Sequence, residues 1–323
     1  MSLTLTDINA YTLDMIVPNL QDITFKQSPV LTRVLSRNRR RYPGGLLIQQ
    51  PLMHAELNGG VLGRGQPMDI TYKQTATAMQ TTLKVYWVNI TLFAFDSLQN
   101  AGDAAVINQV NEKFQNAFMS MAKLLGTNIY LNSVAPRQLH MTGFEQWYDD
   151  GNEFPVVAGV TRADIMTVGT VGGLNAYTAT LTDFTIQALR TAYGQAWYGN
   201  NYVDLIPATQ AGFNLIEETQ QPLQRWNDVG PTDVAKIGFQ TLRYQAAEVV
   251  VDQYMPTGTN GRMYGVNSNF LDVYMPQHEL FNFGFTGFKV SSGSIDHAGQ
   301  HLAAIEPVVT NPRTGWKLKS NQF

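Results

Sequence analysis

The sequence predicts an α+β fold, and three features of its pattern lead to that prediction. A long amphipathic helix is predicted in the first half, directly after two β-patterned arms that flank a Gly-rich stretch. The middle third alternates helical and strand patterns, and the last third contains short apolar strands separated by Gly- and Pro-containing turns. The 323 residues leave room for roughly two domains.

The composition favours contact with other protein and argues against several classes of function. Charged residues make up only 15% of the chain, so another subunit can cover much of the surface without taking many charges out of water. The net charge of −3 argues against a general nucleic-acid-binding surface, although it is compatible with a local basic patch. The chain has no cysteine, which excludes disulfides, thiolate catalysis and Cys-ligated zinc. Neither a signal peptide nor a membrane span is predicted.

Residues 40–131 carry the most informative feature, because they predict a long extended hairpin, at 42–92, that leads into the long helix. Its tip, residues 58–67, is rich in Gly and too poor in apolar residues to form a core alone. The second arm runs from Ile70 to Phe93, far longer than the usual strand of ~5–6 residues. Toward Phe93, apolar residues occupy both faces of the arm, which predicts a central strand. Such a hairpin cannot bury both faces against its own body, so we expect it to lie on a partner chain.

The strongest local prediction is a helix over residues 103–131. Asp103 is a suitable N-cap, because its carboxylate can accept hydrogen bonds from the free N–H groups of the first turn. Apolar residues recur at steps of three and four, as on one buried helix face: Ile107, Val110, Phe114, Ala117, Phe118, Met121, Leu124 and Leu125.

Shorter elements flank this helix. A short helix is predicted after Ser28-Pro29, since Pro suits the first helical turn, and it needs a packing partner to be stable. Further on, Thr182-Asp183 predicts the start of a second helix, and Pro207 predicts the start of another. The predicted strands of the last third are 246–251, 262–266, 271–275 and 302–309.

The order of these elements resembles the major capsid protein of tailed bacteriophages, whose architecture is called the Johnson fold and is shared with encapsulin shells. The resemblance covers essentially the whole chain and rests on element order, not on a catalytic motif. The segments that it implies are an N-arm at 1–42, an extended loop at 43–88, a peripheral domain at 89–154 and 296–323 with its spine helix at 103–131, and an axial α/β domain at 155–295.

The resemblance also implies a function and partners. Copies of the chain would form hexamers and pentamers of an icosahedral shell around double-stranded DNA, assembled in the host cytoplasm and found in the virion. A portal and, as a further candidate, decoration proteins are implied as partners, with only non-specific contact to the packaged DNA, no cofactor and no membrane. Since the arm starts at Met1, we expect a separate scaffolding protein, or none.

The candidate interface residues come from an arginine cluster and from the extended loop. The cluster consists of Arg33, Arg37, Arg39, Arg40 and Arg41. It suits contact with acidic neighbouring subunits, scaffold or packaged nucleic acid, and the alternative is a solvated helix end whose cations suit the helix dipole. The loop candidates are Gly59, Gly60, Arg64 and Lys73. Lys73 lies in the general region where some family members cross-link subunits through Lys and Asn side chains.

No motif predicts a catalytic, cofactor or metal site. His297 and His301 are four residues apart, but Gly299 lies between them and no HExxH pattern exists, which favours structural or surface histidines. Asp149-Asp150 precedes a Gly-Asn pair, which predicts a solvent-exposed turn rather than catalytic carboxylates. Two alternatives to the phage capsid protein stay open. One is an encapsulin, and the other is an α/β enzyme with an unrecognised site, which would be a monomer or small oligomer.

Overall fold

The computed structural model describes residues 28–53, 55–93, 103–165, 167–168, 171–220, 241–256, 261–290 and 296–320. Its α-helices are α1 (Pro29–Arg37), α2 (Asp103–Asn128), α3 (Phe144–Trp147), α4 (Ile186–Ala196) and α5 (Gln210–Gln220). The strands of the first half are β1 (Arg39–Tyr42), β2 (Ile48–Met53), β3 (Ala76–Thr81), β4 (Lys84–Leu92), β5 (Val156–Val157) and β6 (Val160–Thr161). The later strands are β7 (Thr167–Val168), β8 (Val171–Gly172), β9 (Tyr177–Leu181), β10 (Leu205–Ala208), β11 (Thr241–Tyr244), β12 (Ala247–Val251), β13 (Gly261–Gly265), β14 (Leu271–Pro276), β15 (Asn282–Phe285), β16 (Lys289–Val290), β17 (His297–Val309) and β18 (Trp316–Ser320). Residues 1–27 of the predicted N-arm lie outside the described residues.

The first sheet is built around β17. β4 pairs antiparallel with one edge of β17, while β14, β15 and β16 pair in turn with its other edge, and β1 adds to β14 in parallel. In the described part of the chain β4 therefore has a strand partner on one side only. The prediction of a central strand, covered on both faces, is thus wrong. Val85 and Trp87 form an exposed outer face, and the two residues are 51% and 62% exposed.

The long second arm of the hairpin is two strands rather than one. β3 ends at Thr81 and pairs with β2, whereas β4 begins at Lys84 and pairs with β17. The arm therefore changes its strand partner across residues 82–83. Alternation of side chains could not reveal this break, because both strands keep a period of two along the sequence.

The helix α2 packs on the β4 side of the first sheet, as its periodicity predicts. Its buried side chains include Val110, Phe114, Ala117, Phe118, Met121 and Leu125. Phe114 meets Phe285 edge to face, with 4.8 Å between ring centroids. The side chain of Ile107 lies outside the described residues. The helix ends at Asn128, three residues before the predicted end at 131.

The second sheet has the strand order β11-β12-β10-β13-β18-β9 and packs its two faces differently. Ile206 and Val249 face α4 and α5 in one apolar cluster. Leu205 and Val250, their neighbours along the strands, enter a larger core that includes α1, α3 and the first sheet. Because successive strand residues point to opposite faces, this one sheet connects the two cores.

Two predicted helix starts in this region are wrong by a few residues. The hydroxyl of Thr185, not Thr182 or Asp183, caps α4 by accepting a hydrogen bond from Ala188 N–H at 3.2 Å. Pro207 lies inside the buried strand β10, and α5 begins at Gln210.

The two sheets exchange segments across the boundary expected between the axial and peripheral domains. β18 follows residue 296 but lies in the second sheet, between β13 and β9. β14, β15 and β16 precede residue 296 but lie in the first sheet. The boundary at 295/296 therefore does not separate the sheets. Among the described residues, no helix is long and apolar enough to span a membrane.

Candidate assembly surfaces

The helix α1 attaches the described part of the N-arm to the body. Ser28 Oγ accepts a hydrogen bond from Leu31 N–H at 3.3 Å and donates one to Asp252 Oδ2 at 2.5 Å. Tyr130 donates a second hydrogen bond to the same carboxylate oxygen at 2.8 Å. Leu31 and Val34 are buried in the larger core that includes α3 and the first sheet. The prediction that this short helix needs a packing partner is confirmed, and the partner is its own chain.

Within the arginine cluster, Arg33 differs from the other members. Its side chain is 5% exposed, and its guanidinium lies 3.3 Å from Asp204 and 3.7 Å from Glu248. Arg37 is about half exposed and lies 4.0 Å from the same Asp204 carboxylate. Because the charge of Arg33 is satisfied within the chain, it is a poor candidate for contact with a neighbouring subunit.

The other three arginines lie on β1, at the edge of the first sheet. Arg40 Nε lies 2.8 Å from Asp272, and Arg39 donates a hydrogen bond to the side chain of Asn282 at 2.8 Å. Partial burial, together with the charge of Arg41, lowers the pKa of Arg39. Arg39 and Arg41 are two residues apart on a strand, so they share one face and place two like charges beside each other. This exposed basic edge stays a predicted interface.

The extended loop between β2 and β3 exposes many apolar side chains. They are Leu57, Val61, Leu62, Met68, Ile70 and Tyr72. Val61 is 100% exposed and Ile70 is 93% exposed. The two limbs of the loop are nevertheless connected, because Asn58 donates a hydrogen bond to Asp69 Oδ2 at 2.7 Å. A segment with local order but no core of its own is typical of a surface that another protein covers.

The predicted loop residues all lie in this exposed segment. A Cβ atom added at Gly59 or Gly60 would meet nothing within 4 Å, so packing within the chain does not require glycine there. Arg64 and Lys73 are exposed. Hydrogen bonds from Thr71, with a smaller contribution from the charge of Lys73, lower the pKa of Asp69.

A second group of exposed apolar side chains lies on β4 and directly after it, at Val85, Trp87 and Phe93. Trp87 and Val85 stand beside Leu302 and Ala304 in the β4–β17 ladder. At the far end of β4, Phe93 is 52% exposed and lies under the ammonium group of Lys113, 5.5 Å from the ring centroid. The hydrophobic pattern of the sequence indicated these residues but placed them in the interior of a sheet.

Sequence reasoning missed a buried ion pair that joins β18 to the segment after α3. Lys317 Nζ lies 2.9 Å from Asp149 Oδ1, and the two side chains are 2% and 1% exposed. Burial opposes the charge of Asp149, but the hydrogen bond and charge of Lys317 outweigh it and lower its pKa. The prediction of a solvent-exposed turn is therefore wrong for Asp149. Its partner lies 168 residues away, so no local signal could have found it.

The two predicted histidines lie on β17, and His301 belongs to the core. Its ring is fully buried, 4.3 Å from the Phe118 ring, and its Nδ1 lies 3.1 Å from the carbonyl oxygen of Gly284. Burial lowers the pKa of His301 to about 4. Within the described ranges, no group of three or more His, Cys, Asp or Glu side chains is placed to hold a metal.

Comparison with known proteins gives a clear result for structures and none for sequences. No family model and no curated protein sequence matches the chain. The capsid of cyanophage A-1(L) matches with a TM-score of 0.59 at 13% identity, over 93% of each chain. An encapsulin complex from Synechococcus elongatus matches with a TM-score of 0.57 at 10% identity, over 100% of this chain and 96% of that one. This chain has the fold of phage capsid proteins and encapsulins.

The predicted α+β architecture of Johnson type is therefore confirmed. The capsid of an empty GTA particle has the same fold, with a TM-score of 0.56 at 10% identity over 92% of this chain and 97% of that one. The exposed loop between β2 and β3 precedes the long helix α2, which is the predicted order. Identities of 10–13% establish the fold and leave the function to be argued from the surfaces.

Proposed function

We propose that this chain is the major capsid protein of a tailed bacteriophage. Many copies form hexamers and pentamers that tile an icosahedral shell around double-stranded DNA. The protein acts as a structural subunit and not as an enzyme, and it is found in the virion after assembly in the host cytoplasm. The observation that carries this proposal is the run of exposed apolar side chains in the extended loop of a chain with the capsid fold.

In this proposal, the part of the extended loop between β2 and β3 lies on a neighbouring subunit, which covers Val61 and Ile70. Burial of apolar surface contributes about 25 cal/mol per Å² to stability. The same contact, with all six exposed apolar side chains of the loop covered, recurs between each pair of neighbouring subunits in a hexamer or pentamer, so the shell is strongly stabilised. The second sheet with α4 and α5 forms the axial domain, while the first sheet with α2 forms the peripheral domain. The basic edge of β1 contacts acidic protein or, non-specifically, the packaged DNA.

The proposed partners besides the chain itself are a separate scaffolding protein, a portal and decoration proteins. The net charge of −3 leaves no general basic surface for DNA, so contact with the packaged DNA is local, at the basic edge of β1, and non-specific. An encapsulin shell that encloses protein cargo is the second candidate, favoured by the match to the encapsulin complex over 100% of this chain.

The test is electron microscopy and size-exclusion chromatography of the chain, expressed with and without its genomic neighbours. We expect closed shells or capsomer-sized rings. The variant Val61→Ser/Ile70→Ser should reduce the yield of shells at least tenfold, since it removes apolar groups from the proposed contact. Leu139→Ser is the matched control, because Leu139 is 87% exposed but lies outside the loop.

The outcomes separate the candidate functions. Normal shells from the loop variant would overturn the proposed contact, and a strictly monomeric wild type under all conditions would overturn the shell function. Nuclease-resistant double-stranded DNA in native particles identifies the phage capsid, whereas enclosed protein cargo identifies the encapsulin.

A further inference from the structure

An open cavity of about 250 Å³ lies where the extended loop meets the body. Its walls come from β3, β4, β17, the turn after α2, α3 and the turn between β5 and β6. Gln80 and Thr81 contribute from the loop side, and Glu306 contributes from β17. The residues that line it from the other elements include Lys84, Thr142 and Ala158. The cavity therefore lies beside the base of the β2–β3 hairpin, where Met79 and Leu52 pack into the larger core.

Glu306 is an unusual residue to line such a cavity. It is 0% exposed, and one carboxyl oxygen, Oε1, accepts a hydrogen bond from Thr142 N–H at 3.3 Å. The other oxygen, Oε2, is buried without a hydrogen-bond partner among the described residues, and so is Oγ1 of Thr81, which also lines the cavity. A buried ionised carboxylate with one free oxygen is costly, whereas the protonated acid is not.

The charged and titratable groups around Glu306 do not supply a close counter-ion. Lys84 on β4 favours the charged form, but burial outweighs it and raises the pKa of Glu306 to about 8. Tyr86, further along β4, is itself influenced by Glu306 and by Arg137 from the turn after α2, and burial raises the pKa of Tyr86. Among the described residues, no ion pair reaches Glu306.

Among the described residues, one backbone hydrogen bond connects the hairpin to the body beside this cavity. Gln80 N–H donates to the carbonyl oxygen of Ala158, in the turn between β5 and β6, at 2.8 Å. One residue further, β3 ends at Thr81, and the chain changes its strand partner before Lys84. This place is where the loop can change its angle to the first sheet with the loss of few hydrogen bonds.

We propose that protonation of Glu306 controls the contact between the base of the hairpin and the body at Gln80 and Ala158. This contact is called the joint. While Glu306 is protonated, the base of the hairpin stays seated on the body and the Gln80–Ala158 hydrogen bond is closed. Ionised Glu306 requires water or the Lys84 ammonium group at its free oxygen, and admitting either one opens the joint. The hydrogen bond from Thr142 to the carboxyl group persists, because a carboxylate is the better acceptor.

The direction of the pH effect follows from linkage. An opened, solvated Glu306 has an ordinary pKa near ~4.3, well below that of the closed joint. Between these two values the closed state binds more protons than the open state, so raising the pH favours opening. The effect is present from about pH 5 upward and stops increasing above about pH 8, where both states are ionised.

Hydrogen–deuterium exchange of the full chain from pH 5 to 9 tests this inference. Protection is expressed relative to an unstructured reference at each pH, which removes the intrinsic pH dependence of exchange. In the wild type, protection of the Gln80 amide should fall up to about tenfold per pH unit and level off near pH 8. Protection of the Thr142 amide should not fall with it.

Three variants sharpen the result. Glu306→Gln keeps the shape of the protonated acid and should make the protection of Gln80 independent of pH. Lys84→Met removes the positive charge that favours ionised Glu306. It should raise the pH above which the protection of the Gln80 amide stays constant. Glu279→Gln is the matched control, because Glu279 is exposed, and it should retain the wild-type response.

Two results would overturn the joint. The first is an unchanged pH response in Glu306→Gln, or in Lys84→Met if the former variant does not fold. The second is a wild-type protection of Gln80 that does not change with pH. The measurement gives its answer whether or not the chain forms shells, so failure of the joint is distinguishable from failure of the proposed function.

Discussion

The second sheet and the extended loop place their side chains under opposite conditions. At the second sheet, even charged groups are enclosed, and Lys317 is paired with Asp149 at 2.9 Å. In the loop, even apolar groups such as Val61 and Ile70 lie in solvent. The body therefore buries its apolar side chains and pairs its charges within the chain, whereas the apolar side chains of the loop are not covered by any described residue. The difference teaches that folding of the body and the proposed assembly through the loop are separable, and substitutions can test each one alone.

The largest expected effect comes from breaking the buried pair of the body. Lys317→Met leaves Asp149 charged and without its main partner, which should lower the free energy of unfolding by about 3–5 kcal/mol. Urea unfolding of the unassembled chain measures this change. The double variant Lys317→Met/Asp149→Leu should recover only part of the loss, since it removes the unpaired carboxylate but also the acceptor of the Gly151 and Phe154 N–H groups. A loss below about 1 kcal/mol in the single variant would show that water screens the pair, as it does in an exposed ion pair.

The second prediction uses acid instead of a substitution to weaken the body. His301 is buried with its pKa lowered to about 4, so between pH 6.5 and about 4 the unfolded chain binds more protons than the folded one. The stability that neutral His301 contributes is fully present above pH 6.5. It falls by about 3 kcal/mol as the pH drops from 6.5 to about 4. In His301→Gln the stability should depend less steeply on pH over this range. Equal slopes for both proteins would contradict a neutral buried His301.

A smaller effect separates the buried arginine from the exposed ones. Arg33→Met leaves Asp204 and Glu248 without their shared partner and should cost about 2 kcal/mol of unfolding free energy. Arg41→Met is the control on the exposed edge strand, where a change within about 0.5 kcal/mol is expected. Similar losses from both variants would mean that the arginine cluster does not divide into an internal part and a surface part.

The smallest expected effect on stability comes from the loop. Val61→Ser/Ile70→Ser should change the unfolding free energy of the unassembled chain by less than about 0.5 kcal/mol, because both side chains are already in water. Thermal unfolding at a concentration that prevents assembly measures it. A loss comparable to that of Lys317→Met would show that the loop packs within its own chain, and the comparison between the two regions would fail.

The elements predicted well are those with a local signal. The helix α2 follows from its three- and four-residue apolar spacing, and α1 follows from Ser28-Pro29, because capping and helical periodicity act within a few residues. The exposed loop tip also follows from local composition. These signals reach the fold class and the order of elements, and with them the resemblance to capsid proteins.

The elements predicted poorly depend on contacts between distant residues. The place of β18 is set by its parallel pairing with β9, and the burial of Asp149 is set by Lys317 on that same strand. Likewise, Arg33 looked like its four neighbours in the cluster until Asp204 and Glu248 were seen to enclose it. A charge pattern cannot show which charge is buried, because the partner that makes burial possible lies far along the chain.

The place of β18 has a consequence for how this chain is made. A ribosome releases residues in order, so β9 and β13 leave it before β18, their common neighbour in the second sheet. Until Trp316–Ser320 arrives, the nascent chain presents two facing strand edges with free N–H and C=O groups. Unfinished chains in a crowded polysome would pair through such edges. These edges therefore stay open until β18 takes its place between β9 and β13, and its pairing is what protects the second sheet against aggregation there.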